Sequence, residues 1–217
     1  MLNLNFSNGK NPVRRVLCLG AHSDDIEIGC GGTILRWLRE DPGLEFCWVV
    51  LSSNQERKKE ASKSANLFLK GARRKKILIE SFRDGFFPYQ GAEIKEYFEG
   101  FKKHFLPDIV LTHYRDDRHQ DHRLVSDLTW NTFRRELILE YEIPKYDGDL
   151  GQPNLFVHLD ETVCRKKIRN ILDIFKTQTQ KHWLTEDTLR AILRLRGVES
   201  HADEKYAEAF YCRKMIL

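Results

Sequence analysis

The chain has 217 residues, of which 41% are hydrophobic and 31% are charged. This composition excludes a disordered tail and a fibrous repeat, and the length allows one domain with a full hydrophobic core. We therefore expect a single domain over residues 1–217. The formal net charge of +4 is small for a dedicated nucleic-acid binder, so no nucleic-acid partner is expected.

No apolar run approaches the roughly 18 residues that a membrane helix needs, and the first residues lack the apolar region of a signal peptide. We expect a cytoplasmic protein without a membrane span. The five cysteines form no CxxC pair, which argues against both a disulfide framework and a thiolate zinc site. The sequence leaves homo-oligomerisation open.

Short apolar runs alternate with segments of helical periodicity along the chain. The predicted strands cover residues 13–21, 44–52, 75–80, 108–113 and 153–160. The predicted helices cover residues 32–40, 56–71, 91–105, 121–136, 161–177 and 186–197. Repeated alternation of this kind predicts an α/β, Rossmann-like doubly wound fold with a mostly parallel sheet and helices on both faces.

Polar residues follow two of the predicted strands, where an open parallel sheet collects its ligands. The first cluster, in "AHSDDIEIGCGGT", contains His22, Asp24 and Asp25. His22 and Asp25 lie three residues apart on a tight loop, so both can turn to one point, where one histidine of the second cluster would complete a divalent-metal site. Asp24 points elsewhere and can act as a base. The glycines that follow are expected to start a helix and to let the chain pass close to a ligand.

The second cluster, "HYRDDRHQDHR", contains the spacing "HQDH". If a helix begins near Gln120, His119 and His122 face the same side, and Asp121 can hydrogen-bond a ring nitrogen and fix its tautomer. One imidazole could then bind the metal while the other donates a proton. His113, at the end of its strand, fits a packed residue as well as a residue behind the ligands, and we leave it out of the predicted site.

These two motifs, with "KYAEAFY" near the C-terminus, resemble those of the LmbE-like, or PIG-L-like, zinc-dependent N-acetylglucosaminyl deacetylases. The resemblance spans most of the chain. The family motifs usually read AHPDD and HPDH, so Ser23 and Gln120 stand here where proline is usual. Since those prolines stiffen the loops and do not touch the metal, their absence bears on ligand geometry and leaves ligand identity unchanged.

Carried over by position, the resemblance implies that His22, Asp25 and His122 bind the metal. It makes Asp24 the general base and His119 the acid or the partner of the oxyanion. The implied cofactor is Zn²⁺, although such a donor set would also take Fe²⁺. The implied reaction is hydrolysis of the acetamide of an N-acetylglucosamine-type sugar conjugate by metal-bound water.

Two further roles come with the resemblance. Asp121 would orient His119, and Arg57 is the best match for a substrate-contacting arginine in the helix after the second strand. Arg57 has basic neighbours and fits a solvated helix residue equally well. Near the C-terminus, Glu208 and Phe210 either line the pocket or belong to a strand that packs on the sheet.

Simpler explanations and rival functions compete with this interpretation. The first cluster could be a helix N-cap, and the histidines of the second could be exposed loop residues. The first motif also suggests a nucleotide-binding loop, although its glycine spacing is not GxGxxG and its carboxylates would repel phosphates. The sequence is also compatible with hydrolysis of another N-acyl or amide substrate, and with a polyanion-binding module that holds a structural metal.

Overall fold

The computed structural model describes residues 13–216, in which strands and helices alternate. The strands are β1 (Arg15–Gly20), β2 (Glu45–Val50), β3 (Arg74–Ile79), β4 (Ile109–His113), β5 (Leu137–Tyr141), β6 (Leu155–Leu159) and β7 (Tyr206–Cys212). The α-helices are α1 (Asp25–Glu40), α2 (Gln55–Phe68), α3 (Gly91–Lys102), α4 (Gln120–Thr132), α5 (Glu161–Ile174) and α6 (Glu186–Glu199). The first twelve residues of the predicted domain lie outside the described part.

The seven strands form one sheet in the order β3-β2-β1-β4-β5-β7-β6. Neighbours from β3 to β5 pair in parallel, and β7 pairs antiparallel with both β5 and β6. Strands β1, β2 and β4 are almost wholly buried, because helices cover both faces of the sheet. The predicted doubly wound α/β fold is confirmed.

Alternate residues of the central strands face two different hydrophobic cores. Val16 and Cys18 of β1 join the core that α1, α2, α5 and α6 cover. Leu17 and Leu19 join the core that α3 and α4 cover on the opposite face. Among the described residues, no helix is long and apolar enough to cross a bilayer.

The position of β1 determines where a ligand can bind. From β1 the chain moves outward through β2 to β3, then returns to β4 on the other side of β1. At such a switch point the loops after the two strands separate and leave a crevice at the carboxyl end of the sheet. Both polar motifs of the sequence follow these two strands.

Helix α1 begins at Asp25, earlier than predicted, so its glycines lie inside the helix. A Cβ atom on Gly29 would lie 2.1 Å from Cδ2 of Tyr141, and one on Gly31 would lie 2.6 Å from Cε1 of Phe68. The expectation that these glycines approach a ligand is therefore wrong for this pair. They allow the helix to pack closely on the aromatic side chains of β5 and α2.

Candidate metal centre

Three donor atoms converge at the switch point. His22 and Asp25 lie at the turn from β1 into α1, and His122 lies in the first turn of α4. Nδ1 of His22 lies 3.2 Å from Nε2 of His122 and 3.4 Å from Oδ2 of Asp25. Nε2 of His122 and Oδ2 of Asp25 are 3.6 Å apart. The structure thus brings together the three residues that the sequence predicts as metal ligands.

The spacing of these atoms suits a small divalent ion. Ligands about 2.0–2.2 Å from a tetrahedral zinc ion lie about 3.3–3.6 Å from one another, which is the range found among the three donor atoms. Two imidazoles and one carboxylate are also donors that zinc and iron accept. His22, Asp25 and His122 are all buried, so an ion held by them would be largely shielded from bulk water. The residues present therefore fit the implied metal.

A neighbouring carboxylate fixes the tautomer of His122. Nδ1 of His122 donates to Oδ2 of Asp117 at 2.9 Å, which leaves the lone pair of Nε2 for the donor cluster. Burial, together with the nearby His113, lowers the pKa of His122 to about 3, so the ring is neutral at neutral pH. The ring of His113 stacks on His122 with centroids 3.9 Å apart. His122 therefore presents a neutral, oriented nitrogen.

The imidazole of His22 lies between carboxylates on both sides. Its Nε2 lies 3.3 Å from Oδ2 of Asp121 and 3.0 Å from Oδ1 of Asp84. Burial alone would lower the pKa of His22, but the charge of Asp25 and the hydrogen bonds to these carboxylates raise it well above the usual value. In the metal-free protein, His22 consequently holds a proton that a metal must displace.

The predicted role of Asp121 needs correction. Its Oδ2 accepts the backbone N–H of Gly85 at 2.7 Å, and its Oδ1 accepts that of Phe87 at 3.1 Å. The same Oδ2 lies 3.3 Å from Nε2 of His22, so the carboxylate contacts the ring of His22. Among the described residues, the hydrogen bond from Asp121 to the ring of His119 comes from its backbone N–H and not from its carboxylate.

Asp25 contacts all three buried histidines of the cluster. Its Oδ2 lies 3.2 Å from Nε2 of His113 and accepts the backbone N–H of His22 at 2.6 Å. Burial opposes ionisation of this carboxyl, but its interactions with His122, His113 and His22 outweigh that effect and hold the pKa of Asp25 well below its usual value. Asp25 is thus an anionic donor over the whole neutral range.

Asp24 has the geometry of a free proton acceptor. Nη2 of Arg57 donates to its Oδ1 at 2.7 Å, and the side chains are 13% and 4% exposed, respectively. Its Oδ2 is buried and has no hydrogen-bond partner among the described residues. Asp24 is the N-cap residue of α1, yet its side chain makes no capping hydrogen bond. The simple N-cap explanation therefore does not account for this side chain.

His119 is the half-exposed histidine of the second motif. Its Nδ1 accepts the backbone N–H of Asp121 at 3.3 Å, so the neutral ring carries its proton on Nε2. Burial, aided by the charge of His22, lowers the pKa of His119 below its usual value. Its ring centroid lies 4.9 Å from that of His22 and 4.6 Å from that of His122. His119 thus adjoins the donor cluster with one N–H group available.

The two residues at the usual proline positions make hydrogen bonds to neighbouring loops. Oγ of Ser23 donates to Oγ of Ser53 at 3.2 Å, across to the loop after β2. Nε2 of Gln120 donates to the carbonyl of Gly85 at 3.2 Å, in the loop after β3. These bonds can restrain both motif loops where proline would have stiffened them.

Three polar residues of the site were not in the predicted set: His113, Asp117 and Asp84. His113 lies at the end of β4, and this position in the sequence does not reveal that its ring stacks on His122. Asp117 belongs to the second cluster and lies five residues before His122, close enough in the chain to be a candidate partner of that histidine. Asp84 lies on the loop after β3, and its hydrogen bond to His22 lowers its pKa to about 2.

Glu208 is a structural residue of β7, not part of the pocket. Its carboxylate accepts the backbone N–H groups of Gly32 and Thr33 at 2.7 and 2.6 Å. It also accepts a hydrogen bond from Nζ of Lys167 at 2.6 Å. Phe210 is fully buried in the core. The observed arrangement is therefore a C-terminal strand packed on the sheet.

The family model described as PIG-L: GlcNAc-PI de-N-acetylase matches residues 17–133, more than half of the chain. The chain belongs to this family. The match includes His22, Asp25 and His122, together with Asp24 and His119. The family that the motifs resemble is therefore confirmed.

Solved structures with this fold include proteins with different activities. The conserved protein TT1542 from Thermus thermophilus is 21% identical, with a TM-score of 0.70 over 93% of this chain and 96% of its own. The N,N'-diacetylchitobiose deacetylase from Pyrococcus horikoshii is 22% identical, with a TM-score of 0.67 over 91% and 83%. GalB, the 4-carboxy-2-hydroxymuconate hydratase from Pseudomonas putida, is 17% identical, with a TM-score of 0.74 over 94% and 98%. At these identities the likeness shows the fold alone, which holds both a deacetylase and a hydratase.

Proposed function

We propose that this protein is a metal-dependent N-deacetylase that acts on an acetamido-sugar conjugate of the N-acetylglucosamine type. The observation that carries the proposal is the convergence of three donor atoms at 3.2–3.6 Å beside a carboxylate with one free oxygen. Family membership supports an amide of this kind as the substrate. We propose zinc as the cofactor, held by His22, Asp25 and His122.

Asp24 is the base of the proposed reaction. A zinc ion at this site would polarise the acetamide carbonyl and lower the pKa of a water molecule to about 7. Asp24 Oδ2 takes the proton of the attacking water, while Arg57 holds Oδ1 and keeps the carboxylate in place. The Nε of Arg57 is buried without a partner among the described residues, so it can donate to a polar group of the substrate.

In this mechanism His119 stabilises the carbonyl oxygen of the substrate. Its Nε2–H donates to the oxygen as negative charge develops there, which is the role of an oxyanion partner. When the C–N bond breaks, the amine nitrogen takes the proton that Asp24 removed from the water and leaves as the free amino sugar, with acetate as the other product. Because His119 is only partly buried, a substrate can reach its ring.

A nucleotide-binding site is disfavoured by the start of α1. The N-terminal turn carries Asp24 and Asp25, two carboxylates that would repel a phosphate group. The first glycines of the helix approach protein side chains, as described above. The five unpaired cysteines suit our proposal that the enzyme acts in a reducing compartment such as the cytoplasm.

The test combines metal analysis with an amine-release assay over a panel of N-acetylglucosamine conjugates. Asp24→Asn keeps the size of the side chain but removes the base, so we expect retained metal and a loss of rate of about 10²-fold or more. Asp173→Asn is the matched control, because this carboxylate is 65% exposed on α5. An Asp24→Asn protein with full activity, or a rate that survives chelation, would contradict the proposal.

A further inference from the structure

Asp117 accepts hydrogen bonds from both histidines of the second motif. Its Oδ2 accepts from Nδ1 of His122 at 2.9 Å, and its Oδ1 accepts the backbone N–H of His119 at 2.7 Å. The residue is 2% exposed, so neither bond competes with bulk water. One carboxylate therefore fixes the orientation of the His122 ring and the position of the His119 backbone.

A cation from another loop completes the surroundings of Asp117. Nζ of Lys145, on the loop after β5, lies 3.0 Å from Oδ2 of Asp117, and its side chain is 9% exposed. Lys145 also pairs with Asp149, whose Oδ2 accepts the backbone N–H of Arg118 at 2.7 Å. The ammonium offsets the charge of two shielded carboxylates and ties the loop after β5 to the loop after β4.

We propose that Asp117 is a positioning residue of the metal centre, with Lys145 as its partner. Asp117 holds His122 in the tautomer with its proton on Nδ1, so that Nε2 always faces His22 and Asp25. Lys145 holds the carboxylate in the orientation that makes this bond. The inference rests on the proposed metal site, and it assigns the tautomer and the metal affinity to residues outside the donor set.

The stacking of His113 supports this assignment. Its ring lies almost parallel to that of His122, at 19°, and keeps the plane of His122 fixed without choosing which edge of the ring faces the donors. A 180° rotation about the Cβ–Cγ bond would put Cε1 in the place of Nε2 and Cδ2 in the place of Nδ1 with almost the same ring outline. The hydrogen bond to Asp117 is what distinguishes the two orientations.

The experiment measures the tautomer in metal-free protein and the affinity for Zn²⁺. Two-bond ¹⁵N–¹H couplings of the imidazole distinguish the protonated nitrogen, and competition with a chromogenic chelator gives the dissociation constant. For Asp117→Ala we expect a mixture of tautomers at His122 and a loss of zinc affinity of about 10- to 100-fold. Asp117→Asn keeps the size of the side chain but has one acceptor oxygen for the two N–H groups that Asp117 accepts, so we expect a zinc affinity between those of the wild type and the alanine variant. It also serves as the test if the alanine variant does not fold.

Asp116→Asn is the matched control, since this adjacent carboxylate is 68% exposed and pairs with Arg213 at 3.7 Å. Lys145→Met should weaken zinc binding less than Asp117→Ala does. A folded Asp117→Ala protein with wild-type zinc affinity and a single His122 tautomer would overturn the inference. His122→Ala separates the two proposals: if it binds zinc like the wild type, the metal site itself is wrong.

Discussion

The buried pair of Lys167 and Glu208 allows a quantitative test of what holds α1 in place. Nζ of Lys167 donates to Oε1 of Glu208 and to the carbonyl of Ile28, each at 2.6 Å, and both side chains are 2% exposed. Lys167→Met keeps the length and most of the volume of the side chain. It removes the only cation paired with Glu208 among the described residues and leaves the carbonyl without this donor.

The expected cost follows from these contacts. Breaking a buried ion pair by removing one partner costs about 3–5 kcal/mol, because a charge stays buried without compensation. For a domain of about 150–250 residues, each kcal/mol lowers Tm by roughly 2–4 °C, so we expect a fall of about 6–20 °C. Total stabilities are about 5–15 kcal/mol, so the loss is a large fraction of the whole.

The assay is unfolding in urea, monitored by tryptophan fluorescence. A double-mutant cycle compares Lys167→Met, Glu208→Gln and the variant that carries both substitutions. Since the double variant carries no isolated buried charge, it should be less unstable than the sum of the single variants, by roughly 0.5–3 kcal/mol. Lys166→Met, at an exposed neighbouring position of α5, should change stability by no more than about 0.5 kcal/mol. A cost below about 1 kcal/mol for Lys167→Met, or strict additivity in the cycle, would refute this reasoning.

Two other predictions concern α1 and the site. Gly29→Ala should destabilise the protein by about 1–3 kcal/mol, because the added methyl group would overlap the ring of Tyr141, which is fully buried and has no room to move away. In contrast, Gly100→Ala on α3 meets nothing within 4 Å and should stabilise it by about 0.5–1 kcal/mol, as chemical denaturation can verify. Zinc binding should release a proton from His22, whose pKa is raised, so affinity should rise with pH by up to about tenfold per unit until that pKa is passed. Calorimetry in buffers of different ionisation enthalpy counts the protons, and a pH-independent affinity would contradict the assignment.

The sequence was informative where function depends on residues close together in the chain. The first motif places its two donors three residues apart, and the helix turn of the second places His119 and His122 on one side, so local geometry sufficed. The role of Asp121 could not be predicted in the same way. Its carboxylate is taken by Gly85 and Phe87, more than thirty residues earlier in the chain. No local pattern records that contact.

Strand β5 was missed for a related reason. Its sequence, "LILEY", contains Glu140, whose charge weakens the apolar pattern of a buried strand. The structure buries this residue completely and satisfies it with distant donors. Arg213 donates to its Oε1 at 2.7 Å, and Nε1 of Trp130 donates to the same atom at 2.6 Å. A partner near the C-terminus thus makes the carboxylate acceptable in the sheet.

The C-terminal part of the chain therefore contributes to a site whose predicted ligands all lie in the first two thirds. The family match ends at residue 133, whereas Lys167 and Glu208 come after it. Glu208 holds the second turn of α1 by two backbone N–H groups, and Asp25 stands at the start of the same helix. To hold an ion, the donor atoms must keep their mutual distances to within a few tenths of an ångström, so a helix that shifts on its sheet would disrupt the site. The free energy of unfolding and the affinity for zinc should consequently fall together in Lys167→Met.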